Sequence, residues 1–216
     1  MQAPPNLTGQ PARSLQNLTW LGSHPALDFA NTVGDLPSGE PKPYLHSYGE
    51  LLDWCQQADM IGPISRKNLS AGTPQAQAAA FRESQVLVAS LRAIFTAVAR
   101  HEVLPQAALE HLNGLVQKTA AWRRITACDD DDGGRKVSCG WDFKGAPPVA
   151  VLGPIVWRAV ELLENGPLDR LKECPLEEGG CGWLYLDTSK NRSRHWCSMK
   201  TCGNVSKVRR FRARNA

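Results

Sequence analysis

The stretch that decides the reading is residues 174–204, CPLEEGGCGWLYLDTSKNRSRHWCSMKTCGN. It holds four of the chain's seven cysteines, Cys174, Cys181, Cys197 and Cys202, as a Cys-x6-Cys and a Cys-x4-Cys pair with fifteen residues between them. Zinc takes four thiolates in a tetrahedron at about 2.3 Å, and two short loops held together can supply them. Four protein thiolates leave no coordination position for a reactive water, so the expected cofactor is one structural Zn2+. A segment of roughly forty residues buries too little apolar surface to fold alone. Zinc makes good that deficit, contributing on the order of 10 kcal/mol or more. The alternative is four buried or free cysteines. The first spacing is longer than usual, and Glu177-Glu178-Gly179-Gly180 reads as the loop that absorbs the excess.

Working outward, Cys181-Gly182 reads as a zinc knuckle, and residues 183–186 are a strand by composition. Residues 187–191 are turn chemistry, residues 194–197 return as a second strand, and Cys202 sits where a helix opens. Knuckle, hairpin and helix in that order are treble-clef-like. The expected fold class is therefore α+β: a mostly helical N-terminal domain with a small β-hairpin, plus a C-terminal treble-clef-like zinc finger with four cysteine ligands.

Charge divides at the same place. Residues 182–216 carry nine Lys and Arg against the single acid Asp187, a net +8, while residues 1–181 carry a net −4. Such segregation points to a polyanion-binding end on a body that does not bind polyanions. Lys207, Arg209, Arg210, Arg212 and Arg214 crowd one helix without a breaker. The spacing puts Lys207, Arg210 and Arg214 on one face, Arg209 and Arg212 on its flank, and Val205, Val208 and Phe211 toward the module. Arginine forks suit phosphates and guanine edges, and a major groove admits one helix. Lys190, Arg192 and Arg194 would grip the backbone beside it. Trp183, Tyr185 and Trp196 are read as the mini-core of the finger rather than as a stacking platform for single strands.

Upstream, residues 1–17 read as disordered, residues 18–166 as one α+β domain, and residues 167–216 as the finger with its basic helix. Residues 18–21 are expected to be a short strand, 26–32 a short helix and 34–43 a loop. Ser47 with Glu50 forms a capping-box pattern ahead of a helix burying Leu51, Leu52, Trp54 and Cys55, with Ala58 and Met60 behind, ended by Gly62-Pro63. Residues 64–70 make another short helix. Thr73 caps and Pro74 opens a long helix to about His101, with Val86, Leu87, Leu91, Ile94, Phe95 and Val98 as its apolar series. A helix from Pro105 follows, then a β-hairpin of residues 122–127 and 136–143 about an acidic turn, then a helix over 151–164. Cys55, Cys128 and Cys139 are expected to be buried apolar groups. The four consecutive aspartates lack EF-hand spacing and read as a solvated turn rather than a calcium site.

The residues Cys181-Gly182-Trp183-Leu184-Tyr185-Leu186-Asp187-Thr188-Ser189, Asn191-Arg192-Ser193-Arg194, Trp196-Cys197-Ser198-Met199 and Cys202-Gly203-Asn204 resemble the CGNR zinc-finger family of bacterial proteins. Val205 stands where that family has its arginine. His24-Pro25-Ala26-Leu27-Asp28-Phe29-Ala30-Asn31-Thr32 and Tyr48-Gly49-Glu50-Leu51-Leu52-Asp53-Trp54 resemble the ABATE domain that accompanies the finger. The resemblance implies a stress-induced transcriptional regulator that binds duplex DNA.

No apolar run approaches the roughly 20 residues a membrane helix needs, and residues 1–10 lack the pattern of a signal peptide. A cytoplasmic location is expected. His24, Asp28, Asn31 and Asp53 sit near apolar turns, as helix caps or as the lining of an effector pocket. No phosphate loop, nucleophile elbow or HExxH occurs, so the protein is not expected to be an enzyme. The alternatives are an RNA-binding accessory protein and an enzyme with a zinc appendage. One small finger reads few base pairs, and a homodimer would extend the site.

Overall fold

The structure is a computed structural model that describes residues 13–34, 36, 39, 41–129 and 135–214. Residues 1–12 of the expected disordered terminus and the acidic turn 130–134 lie outside them. Helices build the body: α1 (Pro25–Ala30), α2 (Tyr48–Gln57), α3 (Pro63–Leu69), α4 (Pro74–Arg100), α5 (Gln106–Ala120) and α6 (Leu152–Asn165). Strand pairs join them: β1 (Val33–Gly34) with β2 (Lys42–Pro43), and β3 (Arg123–Asp129) with β4 (Arg135–Trp141). The finger supplies β5 (Leu171–Glu173), β6 (Leu184–Leu186) and α7 (Asn204–Arg214). Every pair is antiparallel and two-stranded. Among the described residues no helix is long and apolar enough to cross a membrane.

Local chemistry sets the helix starts. The Thr73 hydroxyl accepts from the Ala76 amide with Pro74 at the first helical position, and the Ser47 hydroxyl accepts from the Glu50 amide. The Glu50 carboxylate reaches one residue further back than a capping box requires, to the His46 amide at 2.6 Å. α4 is the spine of the molecule. Leu87, Leu91, Ile94 and Phe95 recur at helical spacing and are fully buried. They meet α1, α2 and α5 on the body side, and α4 also packs on β5 and β6. One apolar cluster runs from Leu27 and Trp54 through these residues to Leu184, Tyr185 and Trp196 in the finger.

Several expectations are corrected. Residues 18–21 form no strand: Leu18 is buried and Trp20 stacks on Trp54 at 5.3 Å. Leu15–Asn17, expected to be disordered, form a 3-10 turn with Leu15 buried. α2 ends at Gln57, five residues before Gly62, because the chain turns at Asp59 with φ 54°. Val86 is exposed, since the stripe of α4 turns away from its position. Cys55 is buried as expected, Cys139 is exposed on β4, and the Cys128 side chain lies outside those described. The β3–β4 ribbon pairs with no third strand among the described residues, so Ile125 and Val137 face solvent.

Candidate metal centre and nucleic-acid interface

The first cysteine pair rides on β5 and β6. The partner of strand Leu184–Leu186 is Leu171–Glu173, not residues 194–197, which form no strand. The knuckle therefore lies inside the hairpin. The Cys174 amide donates to the Trp183 carbonyl at 2.8 Å, and the Gly182 amide to the Cys174 carbonyl at 3.1 Å. Gly182 has φ 73°, a conformation open to glycine without strain. A Cβ on Gly180 would lie 2.8 Å from the Cys174 sulfur, so only glycine lets the loop close over the site.

The second pair comes from the start of the C-terminal helix. The Ser198 hydroxyl accepts from the Thr201 amide, and a π-turn at Met199–Gly203 leads into α7. That turn places Cys202 inward, its sulfur 3.8 Å from that of Cys197. The Cys181 and Cys197 sulfurs are 3.4 Å apart, and all four lie within 4.8 Å of one another. Thiolates at about 2.3 Å from one tetrahedral zinc are roughly 3.8 Å apart, so the sulfurs fit the metal. Cys174, Cys197 and Cys202 are buried and Cys181 is half-buried. Contact with Cys174, reinforced by burial, raises Cys181 and Cys197 in the absence of a cation. A dication removes that conflict by holding all four as thiolates.

Beside the sulfurs lies a second constellation that sequence reasoning missed. Asp187 is inaccessible to solvent. Its carboxylate accepts from the Ser189 amide at 2.9 Å and hydroxyl at 2.6 Å, from the Arg194 amide at 2.9 Å and from Lys172 Nζ at 2.6 Å. Burial alone would raise the Asp187 carboxyl. The Lys172 and Ser189 hydrogen bonds outweigh it and hold the group well below the usual carboxylate range. Lys172 also donates to the Arg192 and Arg194 carbonyls. The whole loop 187–194 is wound about one ion pair, its carboxylate buried and its ammonium half-buried. The Asp187-Thr188-Ser189 turn signature was legible, but not its partner fifteen residues upstream.

The expected nucleic-acid contacts separate into two groups. Arg194 is taken up by the finger: its guanidinium donates to the Trp196 and Cys197 carbonyls and lies 4.5 Å over the Tyr185 ring. Arg192 pairs with Asp169 at the surface. Lys190, Lys207, Arg209 and Arg212 are exposed, as is Lys200, which sequence reasoning passed over. The side chains of Arg210 and Arg214 lie outside those described. On α7, Ser206 is the buried position, and Val205, Val208 and Phe211, expected to face the module, are 46%, 49% and 68% exposed. Val205, Val208 and Arg212 stand at i, i+3 and i+7 on one outward face, while Arg209, three positions beyond the buried Ser206, is exposed but leans on Gly179 of the first cysteine loop. Because Asp187 is sequestered, no acid of residues 188–212 offsets it. Trp183, Tyr185 and Trp196 are buried, as a mini-core requires.

His24, Asp28 and Asn31, weighed as helix caps or as the lining of an effector pocket, are engaged with backbone. His24 Nδ1 caps α1 by accepting from the Ala26 amide, and Asp28 Oδ1 accepts from the buried Gly22 amide at 2.8 Å. Asn31 Nδ2 donates to the Leu184 carbonyl at 2.8 Å, while its Oδ1 accepts from the Leu184 amide at 3.0 Å. Asp53 pairs with Arg66. A groove of about 700 Å³ opens elsewhere, between α6, the α2–α3 turn and the base of the ribbon. It is lined by Trp141, Trp157, Arg123, Arg158 and Glu161 among others, with Arg123 lying over both indoles.

One histidine pairs with a serine. Ser90 Oγ lies 2.9 Å from His111 Nδ1, and His111 Nε2 lies 3.0 Å from Glu83 Oε1. Ser90 sits mid-helix in α4, where the backbone amides are engaged in the helix, and none of the three lines the groove. The trio braces α4 against α5.

Comparison with known families follows this division of the chain. A family model described as "CGNR zinc finger" matches residues 170–215. Another, named ABATE and described as "Putative stress-induced transcription regulator", matches residues 23–166. No curated protein matches the chain.

Proposed function

The chain belongs to the ABATE family and ends in a CGNR zinc finger, and from that premise we propose that it is a cytoplasmic, stress-responsive transcriptional regulator that binds duplex DNA. One zinc ion is held by Cys174, Cys181, Cys197 and Cys202. It is structural, because four thiolates fill the tetrahedron and leave no site for a reactive water. Its work is to fix the turn from which α7 springs.

The observation that carries the reading is the outward face of α7. Arg212 stands there, Arg209 is exposed at its edge against Gly179, and Lys207, Lys190 and Lys200 are exposed elsewhere on the same finger. The lone acid of the segment is locked inside by Lys172. An 11-residue helix is about 16 Å long and suits a major groove. Burial of Trp183, Tyr185 and Trp196 withdraws these three aromatics from base stacking, leaving Phe211 as the exposed aromatic described on the finger, which favours duplex over single strands. A competition assay decides: zinc-loaded protein should be displaced from labelled duplex DNA by unlabelled duplex and much less by single-stranded or hairpin RNA. The reverse order supports the RNA-binding reading instead.

The body serves sensing and dimerisation. The groove beside Arg123, Trp141 and Trp157 is the effector site. The ribbon is the dimer contact: an antiparallel strand pairing with its own copy generates a two-fold axis, and two fingers then address two half-sites.

A further inference from the structure

The apolar residues on the outward face of α7 have no use in phosphate binding. Val205 and Val208 are about half exposed, with Arg212 beside them at i, i+3 and i+7 and Arg209 at the edge of the face against Gly179. This is the spacing by which a helix normally buries a stripe against its own core, yet here the side facing the module is taken by Cys202, Gly203 and Ser206. The π-turn at Met199–Gly203 sets that phase. The arginines mark the occupant of the face as polyanionic, and the valines require it to offer apolar groups between its charges.

Duplex DNA does so in one place. The major groove presents the thymine C5-methyl among hydrogen-bonding base edges, and small apolar side chains pack on it. Val205 and Val208 are about 4.5 Å apart along the helix axis, close to the step of roughly 3.4 Å between base pairs. They therefore reach neighbouring pairs, while Arg212 reaches a flanking guanine edge or phosphate. We infer that Val205 and Val208 are specificity residues that read thymine methyl groups on adjacent base pairs. The inference rests on the DNA-binding reading of this same face. RNA lacks the methyl and closes its major groove to side chains, so the same two valines select DNA over RNA.

The test uses the zinc-loaded full chain and the duplex it enriches from a randomised pool. Thymines are expected at neighbouring positions of that duplex. Replacing each by deoxyuridine should weaken binding about fourfold per methyl lost. The V205S/V208S variant, polar where the valines are apolar, should bind with an unchanged salt slope and no discrimination between thymine and uracil. Equal affinity of the wild type for both duplexes, or discrimination that survives in the variant, overturns the inference and leaves the DNA-binding reading standing. Failure to bind any duplex at low salt overturns both.

Discussion

Asn31 and Leu184 lie 153 residues apart and exchange two hydrogen bonds, amide to backbone, at 2.8 and 3.0 Å. The side chain completes the free edge of β6 as a neighbouring strand would. Trp183 Nε1 donating to the Val33 carbonyl, the Leu186 amide donating to the Gly22 carbonyl, and Arg92 donating to the Gly182 carbonyl extend the seam. The finger is therefore set rigidly on the body. Asn31→Ala leaves a buried amide and a buried carbonyl unmatched, each costing about 1–3 kcal/mol. Urea denaturation should show that loss, and hydrogen exchange at the Leu184 amide should accelerate. Unchanged exchange there would separate finger from body.

The Asp187–Lys172 pair is predicted to act on the metal through the loop. Asp187→Asn turns an acceptor into a donor facing Lys172 Nζ and the Arg194 amide. The loop should open, and Arg194 should lose its hold on the Cys197 carbonyl. Partners outside the ligands typically change metal affinity 10–100-fold, so zinc affinity is expected to fall by about tenfold in competition with a chromophoric chelator. An unchanged affinity would make this ion pair irrelevant to the metal.

Asp28 gives a pH signature. Burial raises its carboxyl to about 6, against the partial relief of the Gly22 and Leu21 amides. The folded protein then binds a proton more tightly than the unfolded chain, so stability falls as pH rises from about 4 to about 6. Asp28→Asn keeps the acceptor for the Gly22 amide and removes the charge. Denaturation of both proteins across this range should show wild-type stability declining relative to the variant by on the order of 2 kcal/mol. Parallel curves would contradict the assignment.

The ribbon predicts self-association. Ile125 and Val137 are exposed on a two-stranded sheet, and Ile125→Lys with Val137→Lys should convert a dimer to a monomer in sedimentation without changing the circular dichroism. A monomeric wild type at tens of micromolar would remove the dimer.

Much of this was legible in the chain. The cap at Thr73-Pro74, the stripe of α4 and the four ligands are local patterns, and local patterns survive folding. The partner of β6 was not legible, because Leu171-Lys172-Glu173 lacks strand composition and becomes a strand through its packing against α4 and β6. Asn31 read as a cap because its second role depends on a strand far along the chain. The face of α7 was misread because its apolar residues were assigned to the module by hydrophobicity, whereas an ideal helix from Cys202 already places Val208 about 120° and Phe211 about 180° from the ligand.

The central claim is that zinc aims a basic helix at duplex DNA. The most direct measurement is the salt dependence of duplex binding by fluorescence anisotropy, with zinc-loaded, metal-chelated and Arg209→Ala/Arg212→Ala protein. With phosphate contacts from about four exposed cations, log K should fall with log salt with a slope of roughly −3 to −4. Chelation should abolish binding, and the double variant should flatten the slope by about 2. Absence of duplex binding by the zinc-loaded protein at low salt, or binding indifferent to chelation, would contradict the account.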